Sequence, residues 1–173
     1  QSPPAMMGRS PWRVNSTQPE LHGRVALVTG ANSGLGFEAA LGLAHRGAKL
    51  ILPVRNPEKG QNTLNRLRAD CPRADVTLLP LNLASLRSVA ECARAVGALT
   101  DRIDIQINNA GVMAPTRRIE TEDGFELQFG VNHLGHFALS AHLRPLLDAA
   151  EGGGVLVTVA SLAAGKNTIH FND

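Results

Sequence analysis

The residues best suited to chemistry form the run Thr29-Gly30-Ala31-Asn32-Ser33-Gly34-Leu35-Gly36. Residues 24–29 before it are an apolar stretch of the kind buried on both faces of a parallel sheet. Residues 35–46 after it carry a helical pattern that Gly47 stops. Between a strand and a helix, such a turn is an anion-binding device. Gly30 permits a tight exit from the strand, Gly34 lets backbone approach a pyrophosphate with no Cβ in the way, and Gly36 lets the helix pack closely on the sheet. Unpaired amides at the helix start then face the anion, helped by a helix dipole of about half a positive charge. The spacing is not GxGxxG, and no Lys-Ser/Thr pair follows to make a P-loop.

The rest of the chain supplies the elements that must hold this turn. Further strands are predicted over 49–54, 76–81, 103–107 and 155–160. Helices are predicted over 58–69, with Pro57 in its first turn, over 85–99, with Ser85 as N-cap, and over 123–150. Leu35, Ala39, Leu43 and Ala44 are the expected inner stripe of the first helix. Strand–helix alternation of this length implies right-handed crossovers and a Rossmann-type doubly wound parallel α/β sheet, with about five strands in the order 3-2-1-4-5. Residues 1–20, with four prolines, read as a flexible tail, and 21–173 as one nucleotide-binding domain.

Composition removes several alternatives. The net charge of +2 over 173 residues is too mild to indicate nucleic acid or an anionic membrane surface. Cys71 and Cys92 lie in no CxxC motif, which points away from structural zinc and disulfides and toward a reducing, cytoplasmic setting. No apolar stretch approaches the roughly 18 residues needed to span a bilayer. The chain contains no tyrosine.

The glycine spacing resembles the TGxxxGxG cofactor motif of the short-chain dehydrogenase/reductase family, and further motifs follow in the family's order. Asn108-Asn109-Ala110-Gly111 after the fourth strand resembles NNAG. Asn132, within Gly130-Val131-Asn132-His133-Leu134-Gly135-His136-Phe137, matches the active-site asparagine, and Ser161, past the fifth strand, matches the catalytic serine. The wording is closest to the retinol dehydrogenase-like branch, over about residues 21–173. The resemblance implies hydride transfer between nicotinamide and a carbonyl or alcohol carbon. Gly30, Asn32, Ser33, Gly34, Leu35 and Gly36 would cradle the pyrophosphate. Asn109, Ala110 and Gly111 would line the adenosine side, Asn132 would hold a relay water, and Ser161 would bond the substrate oxygen. A small, apolar alcohol or aldehyde as substrate and a homo-oligomer built on the long helix are likewise implied.

Departures from the family pattern are specific. Asn82, in the Asn82-Leu83 pair expected near adenine, replaces a common aspartate and can accept only through its amide carbonyl. Gln106 interrupts an otherwise apolar strand and needs partners if buried. Pro53 removes one ladder donor from the second strand. The family's Tyr-x-x-x-Lys pair is not in the chain. Lys166 has Leu162, not tyrosine, four residues before it and reads as a loop lysine. The chain is therefore expected to be a C-terminally truncated fragment without turnover, lacking later strands. The alternative is a non-catalytic dinucleotide-binding or regulatory protein. The second strand ends Pro53-Val54-Arg55-Asn56, with no acid for a ribose 2′-OH. Arg55 suits a 2′-phosphate, so NADP(H) is expected over NAD(H).

Two aromatic groups complete the inventory. His133, His136 and His142 share a helix without a third ligand at matching spacing, so no metal is expected and packing or interface roles are. Phe125, Phe129 and Phe137 read as core or dimer contact.

Overall fold

Alternation of apolar residues over one short strand sends its side chains to both faces of a sheet, and each face then needs its own helical layer. The computed structural model, which describes residues 20–113 and 115–161, has that three-layer arrangement. Strands β1 (Val25–Val28), β2 (Lys49–Val54), β3 (Val76–Pro80), β4 (Ile105–Asn108) and β5 (Val155–Thr158) form one sheet. Their order is β3-β2-β1-β4-β5, with every neighbouring pair parallel. The expected fold and strand order are both observed. The expected tail and Lys166 fall largely or wholly outside the described residues.

Ala26 and Val28 pack with Leu50, Leu52, Phe37, Ala40 and Leu67 on one face. These join the sheet to α1 (Gly34–His45) and α2 (Pro57–Asp70). Val25, Leu27 and Ile51 pack with Val89, Val96, Leu139 and Leu143 on the other, under α3 (Leu86–Leu99) and α4 (His136–Asp148). Asn56 and Ser85 cap α2 and α3, accepting from the amides of Lys59 and Ser88.

Three expectations need correction. The long helix does not begin at 123. Residues 120 and 126 form an isolated antiparallel bridge. The Glu126 carboxylate then accepts the amides of Gln128 and Phe129, both at 2.8 Å, and so opens the helix. Those two bonds hold the Glu126 pKa below its ordinary value. The helix that follows is a π-helical segment, Phe129–Gly135, leading into α4.

The inner stripe of α1 is Gly36, Phe37, Ala40 and Ala44. Leu35 is 73% exposed, because its neighbours Gly36 and Phe37 take the inward positions of the first turn. Phe129 and Phe137 are 54% and 68% exposed and flank the His133 ring, so they are not core.

Pro53 has a legible consequence. Lys49 donates to the Arg24 carbonyl on the β1 side, and Leu50 donates to Asp75 on the β3 side. By alternation Pro53 turns its donorless nitrogen toward β1. The β1–β2 register ends at Leu27↔Ile51, whereas β2–β3 runs on to Val54↔Pro80. The first two strands are thus free to part at their carboxyl ends.

Candidate functional site

Because all five strands run the same way, every predicted site residue except Asn132, which lies in the π-helical segment, falls at one edge of the sheet. The segments 29–36, 55, 82–83, 109–111 and 161 follow the carboxyl ends of β1, β2, β3, β4 and β5. The order reverses between β1 and β4, and the crevice at such a switch point is where open α/β sheets take their ligands.

The crevice is braced by Thr29. Its hydroxyl oxygen accepts the backbone amides of Asn109 and Ala110, both at 3.0 Å. The Asn109 side-chain amide returns the link, donating to the carbonyls of Thr29 at 3.1 Å and Gly30 at 3.2 Å. Four hydrogen bonds therefore fix the exit of β4 to the exit of β1.

The glycines fit a tightly apposed backbone. Gly30 has φ +68°, and a Cβ there would lie 2.7 Å from the Cα of Ala110. A Cβ on Gly36 would collide with the Asn109 side chain and the Gly30 carbonyl. Its role is therefore to seat the helix against the turn and Asn109, more than against the strands. Gly34 has φ +54° and open space where a Cβ would stand. Ser33 precedes α1 without a capping side-chain bond, so its first-turn amides are not capped as those of α2 and α3 are. A bare, positively polarised cradle of this shape fits a diphosphate. Arg66 reaches over from α2, donating to the Asn32 carbonyl at 3.1 Å and lying 3.9 Å above the Phe37 ring.

Arg55 stands exposed just past β2. The Asn82 side-chain carbonyl accepts the Ala84 amide at 3.1 Å, which uses one of its two lone pairs. Leu83 is buried, its carbonyl against Gly135. The Asn132 side chain is committed to the loop after β4, accepting from the Val112 amide at 2.8 Å and donating to its carbonyl at 2.9 Å. Beyond these two bonds its amide keeps one hydrogen and one oxygen lone pair for a further partner such as a water. Ser161 is exposed, beyond the end of β5.

Three residues with consequences here drew little notice from sequence alone. Thr29 is the hub just described. His136, one helical turn after Asn132, is buried and bonded at both ring nitrogens, to the Asn132 carbonyl and the Thr29 hydroxyl. Ser140 accepts from the amides of Gln106 and Asn108, both at 3.0 Å, and donates to the His136 carbonyl at 2.8 Å. Gln106 is fully buried, and its second contact is to the Asn108 side-chain oxygen at 2.9 Å. Its own carbonyl oxygen has no partner among the described residues.

A cavity of about 460 Å³ lies at the opposite edge, lined by His22, Arg24, Arg102 and Glu151. Its arginines are already paired with the buried Asp104. It is far from the crevice in topology and supplies no convergent donors for a ligand.

The fold, the motif order and the braced turn are those of one family, and the family model for short chain dehydrogenases matches residues 24–172. The chain belongs to the short-chain dehydrogenase family. This short-chain dehydrogenase is 43% identical over 151 residues to human retinol dehydrogenase 13, covering 87% of this chain and 45% of that protein. It is 40% identical over 159 residues to a short chain dehydrogenase/reductase of Colletotrichum higginsianum, covering 88% of this chain and 39% of that one. A solved Pseudomonas aeruginosa RhlG/NADP active-site complex superposes with a TM-score of 0.63 at 34% identity, over 74% of this chain and 49% of that one. The chain thus spans about half the length of these three relatives, or less.

Proposed function

We propose that this short-chain dehydrogenase chain carries the dinucleotide-binding part of an oxidoreductase that moves hydride between nicotinamide and a carbonyl or alcohol carbon. The observation that carries this reading is the Gly30–Gly36 turn, braced by Asn109 and Thr29, at the β1/β4 switch point. A bound nicotinamide dinucleotide supplies the hydride acceptor or donor. The chain's own part is to grip and orient. The amides and glycines of residues 30–36, with Asn32, Ser33 and Leu35, hold the diphosphate. Asn82, Leu83, Asn109, Ala110 and Gly111 line the adenosine side. Ser161 donates to the substrate oxygen, and Asn132 holds a water.

With no tyrosine in its sequence, the 173-residue chain lacks the family's proton donor and is expected to have negligible turnover alone. The retinol dehydrogenase relative and the exposed apolar rings of Phe129 and Phe137 support an apolar substrate and a homo-oligomer seated on that helix. Among the described residues no helix is long and apolar enough to cross a membrane. A cytoplasmic setting is the reading we retain.

NADP(H) is the favoured cofactor. Arg55 stands where an NAD-type site would carry an acid, and a structural relative at 34% identity is an NADP complex. A fluorescence titration of the chain with NADPH and NADH tests both parts. Saturable binding, tighter for NADPH, is expected. In Arg55→Ala the NADPH advantage should fall by about tenfold or more, the loss of a charge-assisted contact. Absence of saturable binding overturns the function, and an unchanged preference in Arg55→Ala overturns the cofactor assignment.

A further inference from the structure

We propose that His136 is a positioning residue, a neutral imidazole with its hydrogen on Nδ1, that fixes the Asn132 turn of the π-helical segment to the cofactor turn. The importance of that turn rests on the functional reading above, but the tautomer does not.

The assignment follows from counting donors and acceptors. The Asn132 backbone carbonyl can only accept, and His136 Nδ1 lies 3.1 Å from it, so Nδ1 must carry a hydrogen. The Thr29 hydroxyl has one hydrogen and two lone pairs. Both lone pairs are used by the amides of Asn109 and Ala110, which can only donate. The hydroxyl hydrogen then points to His136 Nε2 at 2.8 Å, a much better contact than the 3.4 Å to the Ile107 carbonyl. Nε2 must therefore be bare. A second proton on the ring would face an oxygen with no lone pair to offer.

The surroundings agree. His136 is 3% exposed, and burial lowers its pKa, the Asn132 bond offsetting part of the effect. No charged group contributes to the shift. From β1 it meets the non-titrating Thr29, and the β4 side chains Gln106 and Asn108, also non-titrating, bond Ser140 one turn along its helix. The buried titratable group of α3 is Cys92, whose thiol burial pushes up to about 11 and so keeps neutral. On its own helix, His133 is exposed and stacked with Phe129 and Phe137. With the Asn132 side chain tied to Val112, the imidazole completes the hold: the loop after β4 grips the residue's side chain, and the β1 turn grips its main chain.

This tautomer is the less common one for a free imidazole, so it has a diagnostic signature. Long-range proton–nitrogen correlation spectra of the labelled chain, with His136 assigned from its absence in His136→Asn, should show hydrogen on Nδ1 and a bare Nε2. The pattern should persist below about pH 6.5, where a free imidazole takes up its second proton. The Asn132 carbonyl carbon should shift in His136→Ala and return toward wild type in His136→Asn, whose amide can donate from near the Nδ1 position. Hydrogen on Nε2, a ring that takes up a second proton with the fold intact, or an Asn132 carbonyl indifferent to His136 would overturn the proposal. If His136→Ala does not fold, the wild-type tautomer and His136→Asn decide alone. Dinucleotide binding is read separately: its failure beside the expected tautomer defeats the functional reading and leaves this one standing.

Discussion

Gly36 and Asn109 are 73 positions apart in the chain, yet a single methyl group added to the glycine would overlap the asparagine's side-chain amide. That amide is the group that binds the carbonyls of Thr29 and Gly30. The helix start, the glycine turn and the loop after β4 are therefore one packed unit, and they should fail together.

The two glycines of the helix start should consequently differ. Gly36→Ala forces backbone and the Asn109 side chain apart and is expected to cost about 1–3 kcal/mol, as overpacking does. Gly34→Ala meets no atom, and its cost is the left-handed φ of +54°, about 1 kcal/mol. Urea midpoints of the two variants check the order. Equal losses, or a larger one at Gly34, would mean that the apposition is looser than described.

A second expectation concerns the opposite edge. Asp104 accepts the Val25 amide and an Arg24 N–H, both at 2.8 Å, and Arg102 lies 3.5 Å away. Burial is the largest single effect and raises its pKa, but the Arg24 and Val25 hydrogen bonds and the two arginine charges together outweigh it, so the net shift is downward. A carboxyl held below its unfolded value of about 3.9 contributes stability that is present above that pH and is lost as pH falls through the folded pKa. Asp104→Ala should cost about 1–3 kcal/mol at pH 7, the penalty for orphaning the buried Val25 amide. It should also flatten the acid limb of the stability curve while leaving dinucleotide affinity alone. Thermal melts between pH 3 and 7 provide the test, and an acid limb unchanged by the substitution would count against it.

The buried polar cluster makes a third. Gln106→Leu removes an unpartnered carbonyl oxygen but strands the Asn108 oxygen, so the exchange is expected to be neutral within about 1 kcal/mol. Ser140→Ala instead leaves two buried amides without their shared acceptor and should cost about 1–3 kcal/mol. Denaturation of both variants decides it, and a Gln106→Leu loss exceeding that of Ser140→Ala would contradict the bonding described.

Much of this molecule was readable before any coordinates. Apolar runs ending in Gly30 and in Asn108-Asn109 announced buried parallel strands, because no amphipathic alternation was needed. The cap at Ser85 and the helix start at Pro57 followed from local chemistry, which depends on neighbours in sequence. What escaped was set by contacts across the fold. Leu35 fits an apolar stripe by spacing but is exposed, since the sheet edge lies beneath Gly36 and Phe37. Residues 123–126 carry a helical pattern, yet the 120–126 bridge and the Glu126 carboxylate delay the helix. His136 was one of three helical histidines in the sequence. Only the fold separates it from exposed His133, by burying it between Asn132 and Thr29.

The central claim is that the crevice between the carboxyl ends of β1 and β4 holds the dinucleotide. Backbone amide shifts of the labelled chain, followed during titration with NADPH, test it most directly. The largest changes should fall on residues 30–36 and 109–111, with Arg24, Arg102 and Glu151 at the far edge unmoved. Changes centred on those far-edge residues, or none at saturating ligand, would contradict it.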